Sequence, residues 1–190
     1  MYIVPATAER WPDLEALFGA NGACGGCWCM WWRGDAKTYR ENKGAGNRLR
    51  LKTLVEDSSR PAPGLLAYAS DTAGELRAAG WVAVAPRSEY PRFEKSSIVK
   101  PVDDTPVWCV SCLFVHKDFR RSGVSVALIE AAARFAFAYG AVCVEGYPTE
   151  TRKEQPPAFI FTGAAEAFTR AGFVEVARHN PTRPIMRRMQ

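Results

Sequence analysis

The 190-residue chain reads as an α/β (α+β) domain built on a mixed, mostly antiparallel sheet of six to seven strands flanked by helices. Three observations carry this expectation. Two apolar runs, residues 65–69 and 80–86, are separated by a polar stretch with Asp71 and Gly74, the pattern of an antiparallel hairpin. Residues 107–115 are apolar almost throughout, as in a strand buried on both faces. A polar loop, a helical pattern over 123–139 and another apolar run over 141–147 follow it. Together they form a right-handed strand–helix–strand crossover, with a parallel splay next to Val115 between the fourth and fifth strands.

The remaining elements follow in order. Residues 2–5, Tyr-Ile-Val-Pro, read as a short first strand. Thr7 is placed to cap a helix that carries Trp11, Leu14 and Leu17 on or near one face. Residues 47–57 return to helical spacing through Leu51, Leu54 and Val55, and Pro61-Ala-Pro-Gly64 breaks that helix. Residues 87–105 are charged and rich in Ser, Pro and Asp, and read as a long connection of the kind that is often functional. Gly140 ends the 123–139 helix. The tail supplies a helix over 163–171, a strand over 173–177 and a last short strand over 185–187. No repeat, low-complexity tract or linker divides the chain, so residues 1–190 are expected to be one domain.

Composition narrows the function classes. With 47% hydrophobic and 24% charged residues, the chain has the makeup of an ordinary globular protein. No run reaches the roughly 20 apolar residues of a membrane span. No basic-then-apolar leader opens the chain, so the cytoplasm is the expected location and no membrane partner is expected. The net charge of +5 is scattered, without a basic arm for nucleic acid, and permits a phosphate-bearing ligand. Six cysteines in a chain too large to need staples read as reduced thiols; Cys109, Cys112 and Cys143 sit in apolar runs as small buried residues.

The strongest local signal is Val115-His-Lys-Asp-Phe-Arg-Arg-Ser-Gly-Val-Ser125, between a buried strand and an apolar-faced helix. A helix N-terminus leaves backbone N–H groups unpaired and carries partial positive charge, and a phosphate answers both. Gly123 lets the backbone approach a ligand closely, Ser122 and Ser125 are small hydroxyl donors, and Arg120 and Arg121 supply charge. The pattern is neither the dinucleotide fingerprint nor the Walker loop.

This segment resembles the cofactor motif of the GCN5-related N-acetyltransferase superfamily, [RQ]-x-x-G-x-[GA] preceded by V-x-x-x-[YF]. Phe119 and Arg120 match the lead-in, and Ser125 stands where Gly or Ala is usual. Phe168-Thr-Arg-Ala-Gly-Phe173 is similar to the superfamily's Y-x-x-x-G-F segment, and the strand order fits over most of the chain. The resemblance implies acetyl-CoA as co-substrate, no metal, and direct attack by a primary amine. It implies that Leu113, Phe114 and Val115 offer backbone groups to the pantetheine arm, one of them polarising the thioester carbonyl. It further implies that Arg120, Arg121, Ser122, Gly123, Val124, Ser125 and Val126 hold the cofactor. The tyrosine that protonates the leaving thiolate in many members is here Phe168, which keeps a non-catalytic acyl-CoA-binding or sensing domain as the alternative. Tyr147, Thr162 and Thr169 are the substitute hydroxyls, and Glu145, with Glu150 beyond it, is the candidate general base. The expected partners are acetyl-CoA and an amine, a small molecule in preference to a protein, with a second copy of the chain as a candidate homodimer partner.

The segment Cys24-Gly-Gly-Cys-Trp-Cys-Met-Trp-Trp-Arg33 lies outside the family pattern. It admits a zinc site that is one ligand short, a redox pair, plain core, or a wall of the acceptor pocket. A mixture of core and acceptor wall is the favoured reading. It places Trp28, Trp31 or Trp32 opposite the thioester, with the 87–105 connection closing over them.

Overall fold

The computed structural model describes residues 1–150 and 160–190. Seven strands form one sheet: β1 (Tyr2–Pro5), β2 (Gly64–Ser70), β3 (Leu76–Pro86), β4 (Trp108–Val115), β5 (Cys143–Gly146), β6 (Val174–Asn180) and β7 (Arg183–Met189). Their spatial order is β1-β2-β3-β4-β5-β7-β6. Among the described strands only β4 and β5 pair in parallel; every other neighbouring strand pair is antiparallel. The expected hairpin is β2–β3, and β3 begins earlier than the apolar run indicated, because Leu76 and Arg77 already pair with Ser70 and Ala69. The last strand is longer than expected and inserts between β5 and β6, which sequence order alone does not disclose.

Among the described residues five α-helices flank the sheet: α1 (Trp11–Phe18), α2 (Ala36–Glu41), α3 (Ala45–Glu56), α4 (Val124–Ala138) and α5 (Ala165–Arg170). The α2 turn was not anticipated; Asp35 caps it by accepting from Thr38 N–H at 2.7 Å. None of the described helices is long and apolar enough to cross a membrane.

Two cores lie on opposite faces. On one, α4 buries Leu128, Ile129, Ala132, Ala133 and Ala136 against Val82, Val110 and Val144, with Phe168 and Phe173 beside them. The alanines let helix and sheet approach closely. Gly80 on β3 completes the fit, since a Cβ there would stand 3.0 Å from side-chain carbons of both Leu128 and Val124. Gly140, at φ +82°, ends α4 as expected, with Ala141 N–H donating to Ala136 C=O. On the other face, Trp11, Leu14, Phe18, Trp28, Leu51, Leu66 and Trp81 pack together. A third cluster, with Tyr90, Phe93, Val107, Tyr147 and Ile185, sits under the 87–107 connection.

The functional geometry is set by one irregularity. β4 pairs with β5 only over Trp108, Cys109 and Val110. At the same point its register with β3 shifts, Ala83 facing Cys112 and Val84 facing Val110, so Ser111 is an extra residue in β4. A bulge bends its strand and increases local twist. The two parallel strands therefore part just after Val110, and the splay expected beside Val115 opens there.

Candidate active site

The splay leads into a cleft of about 700 Å³. One end is formed by the 113–126 segment: Leu113, Phe114, Val115, Phe119, Arg120, Arg121 and the first turn of α4. The far wall is the cysteine and tryptophan segment, with Cys24, Cys27, Cys29, Trp31 and Trp32, joined by Tyr39. Phe161, Gly163, Ala164, Glu166 and Arg170 form a third side.

At the loop end, Arg121 and Gly123 both adopt left-handed backbone, at φ +61° and +84°. Such turns converge successive N–H groups into an anion-binding concavity, here continuous with a helix N-terminus. The first backbone bond across the start of α4 runs from Ala127 N–H to Gly123 C=O at 3.1 Å, so the N–H groups of Val124, Ser125 and Val126 precede the helix's own bonding. A Cβ on Gly123 would meet no atom within 4 Å, which leaves the approach to these amides open. Ser122 takes a different part from the one expected. Its hydroxyl donates to Phe119 C=O at 2.6 Å and braces the loop. Arg120 likewise turns Nε back onto Val115 C=O at 3.3 Å, which fixes its side chain beside the strand end.

The three strand residues expected along the cofactor are not equivalent. His116 N–H donates to Ala79 C=O at 2.9 Å, which sets the alternation along β4. Phe114 therefore turns its polar groups to β3 and contributes its side chain to the cleft. Leu113 and Val115 turn theirs to the open side. Leu113 N–H donates to Phe161 C=O at 2.7 Å, while no described residue accepts from Val115 N–H. Beyond the splay, Thr149 N–H donates to Gly163 C=O at 2.8 Å, so the 160–164 segment bridges the gap between the two strands.

Of the three tryptophans, Trp31 and Trp32 line the cleft and Trp28 does not. Trp28 is core, stacked on Trp11 at 6.0 Å and packed against Phe18 at 5.6 Å. Its indole occupies the space beside Gly22 that a Cβ would need. The 87–105 connection does not close over the cleft. It passes behind Trp32, where Phe93 packs edge-on at 4.8 Å, and ends in the Asp103–Arg187 pair. Its aromatic residues, Tyr90 and Phe93, are fully buried, and burial turns them inward rather than over a ligand.

Glu145 and Tyr147 also stand apart from the cleft lining. Glu145 is 1% exposed, accepting from Tyr147 Oη at 2.5 Å and Arg187 Nε at 2.7 Å, with Arg87 Nη1 at 3.7 Å. Tyr147 Oη also receives Arg87 Nη1 at 2.7 Å, and burial holds the phenol well above its ordinary pKa. The pair forms a closed polar network that fastens the 87–105 connection to the sheet. Glu150 bonds Arg178 at 2.8 Å. Of the substitute hydroxyls, Thr162 is buried and accepts from Arg183, and exposed Thr169 donates to Ala165 C=O. Phe168 is fully buried, its ring filling the space beside Gly146 and Gly163.

Sequence reasoning missed Tyr39, Phe161, Glu166 and Arg170 as cleft residues, and it read Cys112 only as core. Tyr39 lies outside every motif; what brings it in is its edge contact with Trp31 at 5.0 Å. Cys112 faces the cleft because the bulge at Ser111 resets the alternation of β4. Its Sγ lies 2.8 Å from that of Cys29. Cys29 in turn adjoins Cys27, whose thiol is held far above its ordinary pKa by this neighbour and by burial. Among the described residues no group of three or more His, Cys, Asp or Glu is arranged to hold a metal ion.

Residues 28–175 match the Acetyltransferase (GNAT) family. No curated protein matches the chain. Among solved structures, the chain is similar to a GNAT-family acetyltransferase from Listeria monocytogenes, with a TM-score of 0.55 at 10% identity, over 100% of this chain and 94% of that one. It is similar to the PaiA N-acetyltransferase from Thermoplasma acidophilum in complex with coenzyme A, with a TM-score of 0.53 at 13% identity, over 100% and 98%. It is also similar to an aminoglycoside 6'-acetyltransferase type Ii, with a TM-score of 0.54 at 11% identity, over 100% and 97%. At these identities the likeness is one of fold.

Proposed function

The chain belongs to the acetyltransferase (GNAT) family, and from that premise we propose that it transfers the acetyl group of acetyl-CoA to a primary amine by direct attack. The observation that supports this most is the continuity of one cleft. The open helix N-terminus after Gly123 and the Val115 N–H, from which no described residue accepts, stand on the same side of it, and an aromatic wall faces them.

In this reading the pyrophosphate rests on the N–H groups of Val124, Ser125 and Val126, with Arg120 and Arg121 adding charge. The pantetheine arm lies along the free edge of β4 and takes the Val115 N–H, the donor it reaches without rearrangement. The Leu113 N–H becomes available to the thioester oxygen only when Phe161 C=O yields it. A donor there stabilises the developing oxyanion. The amine lone pair attacks the acetyl carbon, the C–S bond breaks, and the amine proton leaves with the CoA sulfur or water. Tyr39 is the phenol on the cleft, and burial raises its pKa, so it stays protonated as a donor to the sulfur. A thiol with a pKa near 8.5 also tolerates leaving as thiolate. Glu145, enclosed by its two arginines, serves position rather than base catalysis.

Gly123→Trp tests the cofactor assignment. The new side chain stands where the phosphate would rest and meets no protein atom at its Cβ, while its left-handed backbone costs about 1–2 kcal/mol. Loss of acetyl-CoA binding by calorimetry, with the cooperative melt retained, is the expected result; unchanged affinity overturns the assignment. One observation favours a second reading, an acyl-CoA sensor: Phe168 offers no proton where many relatives by resemblance have a tyrosine. Acetyl-CoA binding without turnover across a broad amine panel would select it.

A further inference from the structure

The acceptor wall combines flat side chains with an unusual charge pattern. Trp31, Trp32, Tyr39 and Phe161 face the cleft together with the thiols of Cys24 and Cys27. Two rings of this wall already carry a protein cation, from a residue outside the cleft lining. The Arg92 guanidinium lies 3.8 Å from the Trp31 ring centroid and 5.6 Å from that of Tyr39, held there by a bond from its Nε to Gly34 C=O at 3.2 Å. The same rings that would attract a substrate cation therefore carry a protein cation. Among the described residues this wall carries no carboxylate to hold an ammonium; the cleft's Glu166 lies on another side, on α5 one turn from Arg170. The Cys27 thiol stays protonated, its pKa raised by Cys29 and by burial, so it adds no negative charge.

We propose that the acceptor is a flat, weakly basic aromatic amine, an arylamine or arylhydrazine whose nitrogen is uncharged at neutral pH, rather than an alkylammonium or a polycation. The inference rests on the acetyl-transfer reading above. The acceptor ring replaces water against Trp31, Trp32 and Phe161, where stacked or edge contacts are favourable. The nitrogen arrives with its lone pair free, so attack on the acetyl carbon requires no prior deprotonation. The new bond is N–C, the bond broken is C–S, and the proton displaced from nitrogen ends on the CoA thiol. The products are an N-acetylarylamine or acetylhydrazide and free CoA.

The test compares 4-methoxyaniline and phenylhydrazine with spermidine and kanamycin, reading free CoA, beside calorimetry of acetyl-CoA binding. An aryl acceptor is expected to show kcat/KM at least about tenfold above the cationic amines. Its kcat/KM should stay flat between about pH 6.5 and 8.5, whereas an alkylamine without a base gains about tenfold per pH unit. Trp31→Ala should lower kcat/KM for the aryl acceptor about tenfold while acetyl-CoA affinity and melting temperature hold. Preference for spermidine or kanamycin overturns the inference, as does failure of both aryl acceptors with a protein that binds acetyl-CoA. Absence of acetyl-CoA binding removes the underlying acetyl-transfer reading as well, so the two failures are distinguishable.

Discussion

Four thiols stand along the cleft in three different environments. Cys24 is exposed, Cys27 half-buried, and Cys29 and Cys112 buried side by side. The backbone that brings them together is strained: Ala23, Trp28 and Cys29 all have positive φ, at +67°, +46° and +53°. A non-glycine residue in such a conformation costs on the order of 1 kcal/mol or more and persists only where its surroundings over-determine it. Here Trp28, packed between Trp11 and Phe18, supplies that constraint. Burial and its neighbouring thiol hold Cys29 well above its ordinary pKa, so little thiolate is present. We expect iodoacetamide at pH 8 to alkylate Cys24 first in the folded protein, and Cys29 and Cys112 only after denaturation. Equal labelling of Cys24 and Cys29, mapped by mass spectrometry, would show that the loop opens freely. The cysteine spacing was visible in the sequence; the meeting of Cys29 with Cys112 was not, because they lie 83 positions apart.

At the scale of elements, β5 and β7 carry a buried charge network whose chemistry is legible only once they pair. Glu145 faces Arg187 across the sheet, in register. Arg187 then reaches Asp103 through both terminal nitrogens, at 2.6 and 3.0 Å. A carboxylate on the strand after the cofactor helix reads as a candidate base from the sequence. The structure encloses it between two guanidiniums, because the last strand inserts beside β5 instead of following β6 at the edge. Removing one partner of a buried pair typically costs about 3–5 kcal/mol, since the other charge is left uncompensated. Glu145→Gln should therefore lower the melting temperature by about 6–20 °C and leave acetyl-CoA affinity unchanged. Differential scanning calorimetry beside a binding titration checks this. An unaltered melt combined with loss of turnover would restore Glu145 as the base.

Across the whole molecule, stability should fall away at both ends of the pH scale for separate reasons. Glu15, Asp103, Asp118 and Glu175 are held below their ordinary values, each first by a hydrogen bond from an arginine. A depressed carboxylate stabilises the fold above its unfolded pKa, and that contribution is lost as pH falls through the folded one. The acid limb should therefore begin below about pH 5. On the alkaline side, burial pushes the Tyr90 phenol and the Cys109 thiol up to about 12. Their contribution is full below the unfolded values, about 10 and 8.5, and declines as pH rises toward the folded ones. Urea midpoints measured from pH 3 to 11 should trace a dome. A midpoint still rising above pH 10 would contradict the burial of these two groups.

The sequence by itself determined the alternation of strands and helices, the hairpin, the crossover and the loop at Gly123. Each of these is written in local periodicity or in a backbone requirement that neighbouring residues express. It also made Trp31 and Trp32 candidates, through nothing more than their concentration in one segment. Tertiary structure alone decided which side each residue faces where the register slips: the extra residue at Ser111 turned Cys112 to the cleft and parted β4 from β5. It alone decided that Trp28 is core, that the 87–105 connection supports Trp32 from behind, and that Arg92 stacks on Trp31. Periodicity records which residues are buried along one element. It carries no information about which distant element buries them, and the acceptor side of this cleft is assembled almost entirely from such distant contacts.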